Sequence, residues 1–254
     1  FTHDELDGYG CRLLADVSFK NENLEVTHCS YHNVNERVKA FLEEANYTDY
    51  EAVFITDISV SEEVAELIES KKDNIKVQLI DHHKTALPLN KYSWCSVVLD
   101  KNGDQASGTS LFYDYLLENN LIKESNTLNL LVEKIKRYDT WLWEKYNDQD
   151  AKNLNRLFSI YGRDGFYDIF LKRLLSNDEF ILFDATDRLL LNVEDEKVNA
   201  YIEKKNKELI KHSITINDKT YDFGVVMAEN YTSELGNSLA KLNPELDFIT
   251  IVDS

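Results

Sequence analysis

Positive charge is scarce in this chain. Twenty-eight lysines and arginines face 46 aspartates and glutamates, leaving a formal charge of −18 over 254 residues. So acidic a chain repels a long polyanion, which excludes binding to a long duplex by phosphate neutralisation. A short phosphorylated substrate stays within reach if bound divalent cations reverse the local potential. Cysteine is nearly as scarce. Cys11, Cys29 and Cys95 are odd in number and widely spaced; they form no paired zinc motif and no disulfide framework, which fits a reducing cytoplasm. No run is long and apolar enough to span a bilayer, so no membrane partner is expected. Internal repeats, low-complexity segments and a signal peptide are all missing. The chain starts at Phe1 without a methionine, and its first residues already read as a working strand end, so a few native residues are expected ahead of them.

Apolar residues make up 43% and aromatics 11%, enough for the core of one large domain or two smaller ones. The organising stretch runs from Glu51 to His83. EAVFITD is a short β-branched and aromatic run ending in Asp57. An amphipathic helix follows, with Val64, Leu67 and Ile68 at helical spacing and Ser59 or Ser61 as its cap. IKVQLIDHH is a second apolar run, ending in Asp81, His82 and His83. Strand, helix, strand in this space is a βαβ unit with parallel strands and a right-handed crossover. Both acidic tips then fall at the carboxyl edge of one sheet, where open α/β sheets place their ligands. An acid after a strand is by itself an ordinary helix cap; an acid and two histidines at the end of a buried strand need partners, and a metal supplies them.

The remaining candidates are spread along the chain. At the start, His3, Asp4, Glu5 and Asp7 precede Gly8 and Gly10, a pattern for a strand tip, a tight turn and a helix start, or for a polar turn with an acidic cap. In extended backbone His3, Glu5 and Asp7 would share one side. Leu24–Thr27 reads as a weak strand and Asn35–Ala45 as a helix. His28 and His32 lie in the intervening loop and are read as packing or surface positions. The stretch 86–91, with Pro88, reads as loop, and Trp94–Leu99 as strand. Ser107, Gly108 and Thr109 lead into a helix, either as a phosphate cradle or as an ordinary cap. Leu128, Leu131, Val132 and Ile135 form a helical stripe that ends at Arg137 and Asp139. A carboxylate at a helix C-terminus opposes the macrodipole and calls for a cation, a metal or an arginine. Asp150–Asp187 and Val193–Lys211 read as helical. From Ile214 the pattern becomes a hairpin turning at Asn217–Asp218, a helix from Ser233 to Leu242 and a strand from Phe248 to Val252.

Carboxylates with imidazoles, and no thiolate, suit manganese or a similar cation better than structural zinc. So many acids call for two metals with a bridging carboxylate, an arrangement common in phosphoryl transfer. The HxExDG opening, strand-end Asp57, the DHH triplet 81–83 and distal Asp139 together resemble the DHH phosphoesterase superfamily over essentially the whole chain. The opening and the RYDTW at the helix end are similar to its nanoRNase-like (oligoribonuclease type B) branch. The resemblance implies an α/β fold: a parallel-sheet DHH domain with helices on both faces (residues 1–190), a linker helix (191–212) and the start of a DHH-associated substrate-binding lobe (213–254). It further implies manganese-dependent hydrolysis of short oligoribonucleotides to mononucleotides by two-metal activated water. His3, Glu5, Asp7, Asp57, His82 and Asp139 would be metal ligands and Asp57 the bridge. His83 would act on the phosphate or leaving oxygen, with Asp81 orienting it, and Ser107, Gly108, Thr109 and Arg137 would meet substrate. A homodimer is compatible with the family. Two departures stand out. Glu5 occupies the position of the family's usual aspartate, which leaves Glu5 or Asp4 as the ligand there, and the late GGGH motif is absent from these residues. On the same site, a small-nucleotide phosphatase or phosphodiesterase (3′-phosphoadenosine phosphate, cyclic nucleotide or cyclic dinucleotide) is the alternative enzyme, and a non-catalytic nucleotide sensor the alternative of another class.

Overall fold

The computed structural model describes residues 1–20, 22–44, 47–176 and 179–252. The chain divides into two compact units, 1–184 and 185–254.

The first unit is built on five parallel strands: β1 (Thr2–His3), β2 (His28–Cys29), β3 (Ala52–Thr56), β4 (Lys76–Asp81) and β5 (Cys95–Val97). Their spatial order is β2-β1-β3-β4-β5. The order reverses between β1 and β3, so their carboxyl ends open onto the topological switch point of a doubly wound sheet. Helices α1 (Leu6–Ser18), α2 (Val34–Glu43) and α3 (Glu62–Lys71) wind around it. After β5, a short antiparallel pair, β6 (Asp100–Lys101) and β7 (Asp104–Gln105), leads into α4 (Gly108–Glu118), α5 (Asn126–Asp139), α6 (Leu142–Lys145) and α7 (Gln149–Leu175).

Alternation along β3 and β4 explains the two layers of helices. Val53, Ile55, Val77 and Leu79 point into one core with Val34, Val38 and Leu42 of α2 and Val64, Ala65 and Ile68 of α3. Phe54 and Ile80 face the other way, into a second core with Cys11 and Leu14 of α1, Phe112 and Leu116 of α4 and Val132 of α5. Ile55 and Leu79 are fully buried, and each such side chain stabilises the fold by roughly 1.5–3 kcal/mol. The expected βαβ unit is therefore present, with Ser61 as the α3 cap accepting from the Val64 N–H.

Several boundaries differ from the sequence expectation. The second strand is His28–Cys29 rather than Leu24–Thr27, because it is the Thr27 carbonyl that starts pairing by accepting from Thr2 N–H. The Pro88 segment is a 3₁₀ helix, Lys84–Lys91, rather than loop. The expected helix from Asp150 stops at Leu175 and is broken at Gly162, whose φ of +69° no helix accommodates. Ala45, at the end of the expected second helix, lies outside the described residues.

The second unit contains α8 (Ala185–Glu208), β8 (Ile210–Ile216), β9 (Lys219–Met227), α9 (Thr232–Leu242) and β10 (Phe248–Val252), with strand order β10-β9-β8. β8 and β9 form the expected hairpin. Asn217 and Asp218 both take positive φ (51° and 65°), the requirement of a two-residue turn that matches strand twist. Val198 and Ile202 of α8 share a core with Val226, Leu235 and Leu239, so this helix belongs with the strands that follow it.

Candidate metal centre

Five elements deliver acids and imidazoles to the switch point. β1 ends in His3, α1 carries Asp7 in its first turn, β3 is followed at once by Asp57, β4 ends in Asp81 with His82 and His83 next, and α5 ends in Asp139. The His82 imidazole is the meeting place. Its Nε2 lies 3.2 Å from Asp57 Oδ1, 3.6 Å from Asp139 Oδ2 and 3.7 Å from Asp7 Oδ2. On the other side of the same aspartate, Oδ2 of Asp57 is 3.8 Å from His3 Nδ1. Asp57 thus stands between two histidines with one oxygen toward each. It is 2% exposed, and Oδ2 has no hydrogen-bond partner. A buried carboxylate oxygen left unpaired is expensive, and a cation between it and His3 would pair it. Asp57, Asp81, His82 and His83 each offer an atom within 4.8 Å of the others', as do Asp7, His82 and Asp139. The donor set fits divalent cations that accept oxygen and imidazole ligands.

Local structure explains these positions. Asp57 has φ +59°, a left-handed conformation that costs an aspartate energy and is typical of strained functional sites. Gly108 presses against it: a Cβ there would lie 2.4 Å from Asp57 Cβ. Asp7 sits in the first turn of α1, and Gly8 lets that helix start against the His3 carbonyl, where a Cβ would come within 2.1 Å. Asp7 is itself held by the start of α4, accepting from the N–H groups of Gly108 at 2.6 Å and Thr109 at 2.9 Å. The Thr109 hydroxyl donates to the Asp7 carbonyl at 2.6 Å.

The α4 N-terminus therefore serves an internal carboxylate. Of the two readings of Ser107, Gly108 and Thr109, the helix cap is the one seen here: Ser107 caps its own helix through Ser110, and Ser107 and Thr109 are buried. Arg137 is likewise engaged elsewhere, donating to Glu133 and Asp148 at 2.7 Å each and lying over the Tyr146 ring. Glu5 does not share a side with His3 and Asp7 in extended backbone. The strand ends at His3 and Glu5 is the exposed cap position of α1, while Asp4 approaches His3 Nε2 at 3.9 Å.

Charge crowding marks the site. Burial, then the charges of Asp7 and Asp139, raises the Asp57 carboxyl well above its usual range. Burial and the charges of Asp7, Glu5 and Asp81 do the same to Asp139. Burial lowers His3 and His82, leaving neutral imidazoles suited to ligation. His83 is the opposite case: its hydrogen bond to Asp81 raises it. Asp81 is fully buried, and its Oδ1 accepts from His83 Nδ1 at 2.7 Å and from the His82 N–H at 2.8 Å.

Two further residues join the site without a sequence signal. The Tyr31 hydroxyl is 2.8 Å from His83 Nε2. Arg163, immediately after the Gly162 break, pairs with Asp4 at 3.0 Å. His28 stacks on Tyr9 and contacts the His3 carbonyl through Nδ1 at 3.0 Å, a packing role in keeping with its expected one, while His32 is exposed.

No family model matches the chain. It is 41% identical over 255 residues to Oligoribonuclease NrnB of Bacillus subtilis (strain 168), an alignment covering 99% of this chain and 62% of that protein. It is 23% identical over 173 residues to a 3′,5′-cyclic-nucleotide phosphodiesterase of Helicobacter pylori, covering 62% of this chain and 47% of that one. The chain thus spans about three fifths and one half, respectively, of the curated relatives it matches. Among solved structures, an uncharacterized protein from Helicobacter pylori G27 superimposes with a TM-score of 0.55 at 20% identity, over 99% of this chain and 81% of that one; this likeness concerns fold alone. The alignment with the oligoribonuclease spans nearly all of this chain, the strand-end acids and the histidine pair included, and supports the resemblance to DHH-family, nanoRNase-like proteins.

Proposed function

We propose that the protein is a metal-dependent phosphodiesterase that hydrolyses short oligoribonucleotides to mononucleotides. The observation that carries this reading is the convergence of Asp7, Asp57 and Asp139 on His82 Nε2, within 3.7 Å, in a relative of an oligoribonuclease. These four residues would hold one divalent cation. His3 and the second oxygen of Asp57, with Asp4 or Glu5, would hold another. Bound there, a pair of cations, manganese by donor chemistry, supplies an activated water and neutralises charge on the phosphate. The chain's own groups do the rest. Asp81 fixes the His83 ring through Nδ1, which leaves Nε2 as the nitrogen directed to the reaction and as the proton source for the leaving oxygen. Buried Asp7, pinned by two backbone amides, holds its carboxylate in place before any cation arrives. The second unit would contribute to a substrate-binding lobe.

A second reading, hydrolysis of a cyclic nucleotide on the same site, is favoured by the likeness to the cyclic-nucleotide phosphodiesterase. One panel separates the two. The purified protein is incubated with labelled RNA of two to five nucleotides and with 3′,5′-cyclic nucleotides, in manganese, in magnesium and in chelator. A ladder of mononucleotides that disappears with chelator is expected. Cleavage of cyclic nucleotides alone would move the assignment to the second reading, and metal binding without turnover of either would overturn both.

A further inference from the structure

α7 is broken at Gly162, where φ is +69° and ψ is 169°. Nothing lies within 4 Å of the place a Cβ would take there, so the glycine serves the backbone and not a close approach. Arg163, the next residue, reaches the end of β1: its Nη2 pairs with Asp4 Oδ2 at 3.0 Å. The other oxygen of Asp4 lies 3.9 Å from His3 Nε2. One carboxylate therefore separates the Arg163 guanidinium from the His3 side of the centre. The arginine side chain is 55% exposed, so a ligand can reach it.

A guanidinium carries five N–H donors in a planar fork, and that fork suits phosphate. A single carboxylate oxygen occupies only part of it. Arg137, the arginine expected from sequence to meet substrate, is held by Glu133 and Asp148. Arg163 is held instead by an acid that adjoins His3. An exposed ion pair of this kind adds little to stability, but it fixes a positive fork at the rim of an acid-lined centre. We infer that Arg163 binds the phosphate next to the scissile one, with Asp4 bracing the guanidinium. Position decides which phosphate. The scissile group would lie on the cations, and Arg163 stands one carboxylate further out. The site then favours chains with two or more phosphates over single phosphodiesters, cyclic nucleotides included. This rests on the phosphodiesterase reading above and deepens it by naming the residue that reads substrate length.

The test compares the trinucleotide ApApA with the dinucleotide ApA in manganese. ApApA has a phosphate beside the scissile one whatever the direction of cleavage, and ApA has none. Wild type should show the higher kcat/KM on ApApA. Arg163→Gln should lower that value by roughly 10- to 100-fold, the loss of one charge-assisted hydrogen bond, and most of the change should lie in KM. The loss on ApA should be much smaller, so the preference for ApApA shrinks. Arg163→Lys, which keeps the charge without the fork, should retain part of that preference. Equal losses on both substrates, or none on either, would overturn the inference. If wild type cleaves neither RNA, the oligoribonuclease reading fails, and binding decides the contact. ApApA should then bind wild type several-fold more tightly than Arg163→Gln; equal affinities, or no binding to either, would overturn it.

Discussion

Asp57 carries the conflict on which the site depends. It is buried, in left-handed backbone, with one oxygen unpaired and three other carboxylates near enough to raise its own. None of this helps folding. Above about pH 4 an unfolded aspartate has released its proton, whereas folded Asp57 and Asp139 retain theirs to higher pH. Folding therefore takes up protons, and stability falls as pH rises from the ordinary carboxyl value through the folded one. His83, raised by Asp81, acts in the same sense: its contribution is complete below about pH 6.5 and is lost as pH rises through its folded value. His3 and His82 are lowered, so they act in the opposite sense and lose stability as pH falls below the imidazole range. In chelator at pH 8, Asp57→Asn should be more stable than wild type, because it removes the buried charge and because Asn tolerates positive φ. Urea unfolding checks this, and the advantage should shrink toward pH 4. Legibility at this scale followed side-chain chemistry. Asp57, Asp81, His82 and Asp139 were readable because each ends an apolar run. Glu5 does not share the side of His3 and Asp7 because the backbone there is a helix cap rather than strand. Tyr31 and Arg163 were invisible because loop and kink geometry, not periodicity, brings them to the site.

At the level of elements, the site is a set of ends held together by close backbone packing. The start of α4 joins Asp7 to Asp57: its amides hold the first carboxylate while Gly108 lies against the second. Gly108→Ala should cost about 1–3 kcal/mol by overpacking, since the added methyl would press on the Asp57 Cβ and Cα with no flexible side chain to yield. It should also weaken manganese binding. Thermal unfolding with and without the metal measures both, and a variant matching wild type on each would show that the α4–Asp57 contact does not support the site. The same element shows how far sequence reasoning reached. A small-residue loop before a helix announced an anion at the helix start, and an anion is there. That the anion is Asp7, about a hundred residues away in the chain, is a tertiary fact no local pattern contains. The central strands were legible from β-branched runs and their parallel pairing from the βαβ crossover, whereas the two-residue β1 and β2 are too short to leave a period.

For the whole molecule, net charge and fold point in one direction. A chain of −18 that gathers still more acid at one sheet edge concentrates negative potential where the proposed cations would be held. The sheet order places that edge at the switch point, and no helix among the described residues is long and apolar enough to cross a membrane. The claim at the centre of this account is that Asp7, Asp57, His82 and Asp139 form one cation site that shares Asp57 with a second site at His3. It is tested most directly by counting manganese bound per chain, by electron paramagnetic resonance of the free ion, in wild type, His82→Ala and His32→Ala. The account predicts two ions in wild type and in His32→Ala, with at least one lost or weakened by about 10-fold or more in His82→Ala. Equal stoichiometry and affinity in all three proteins would contradict it.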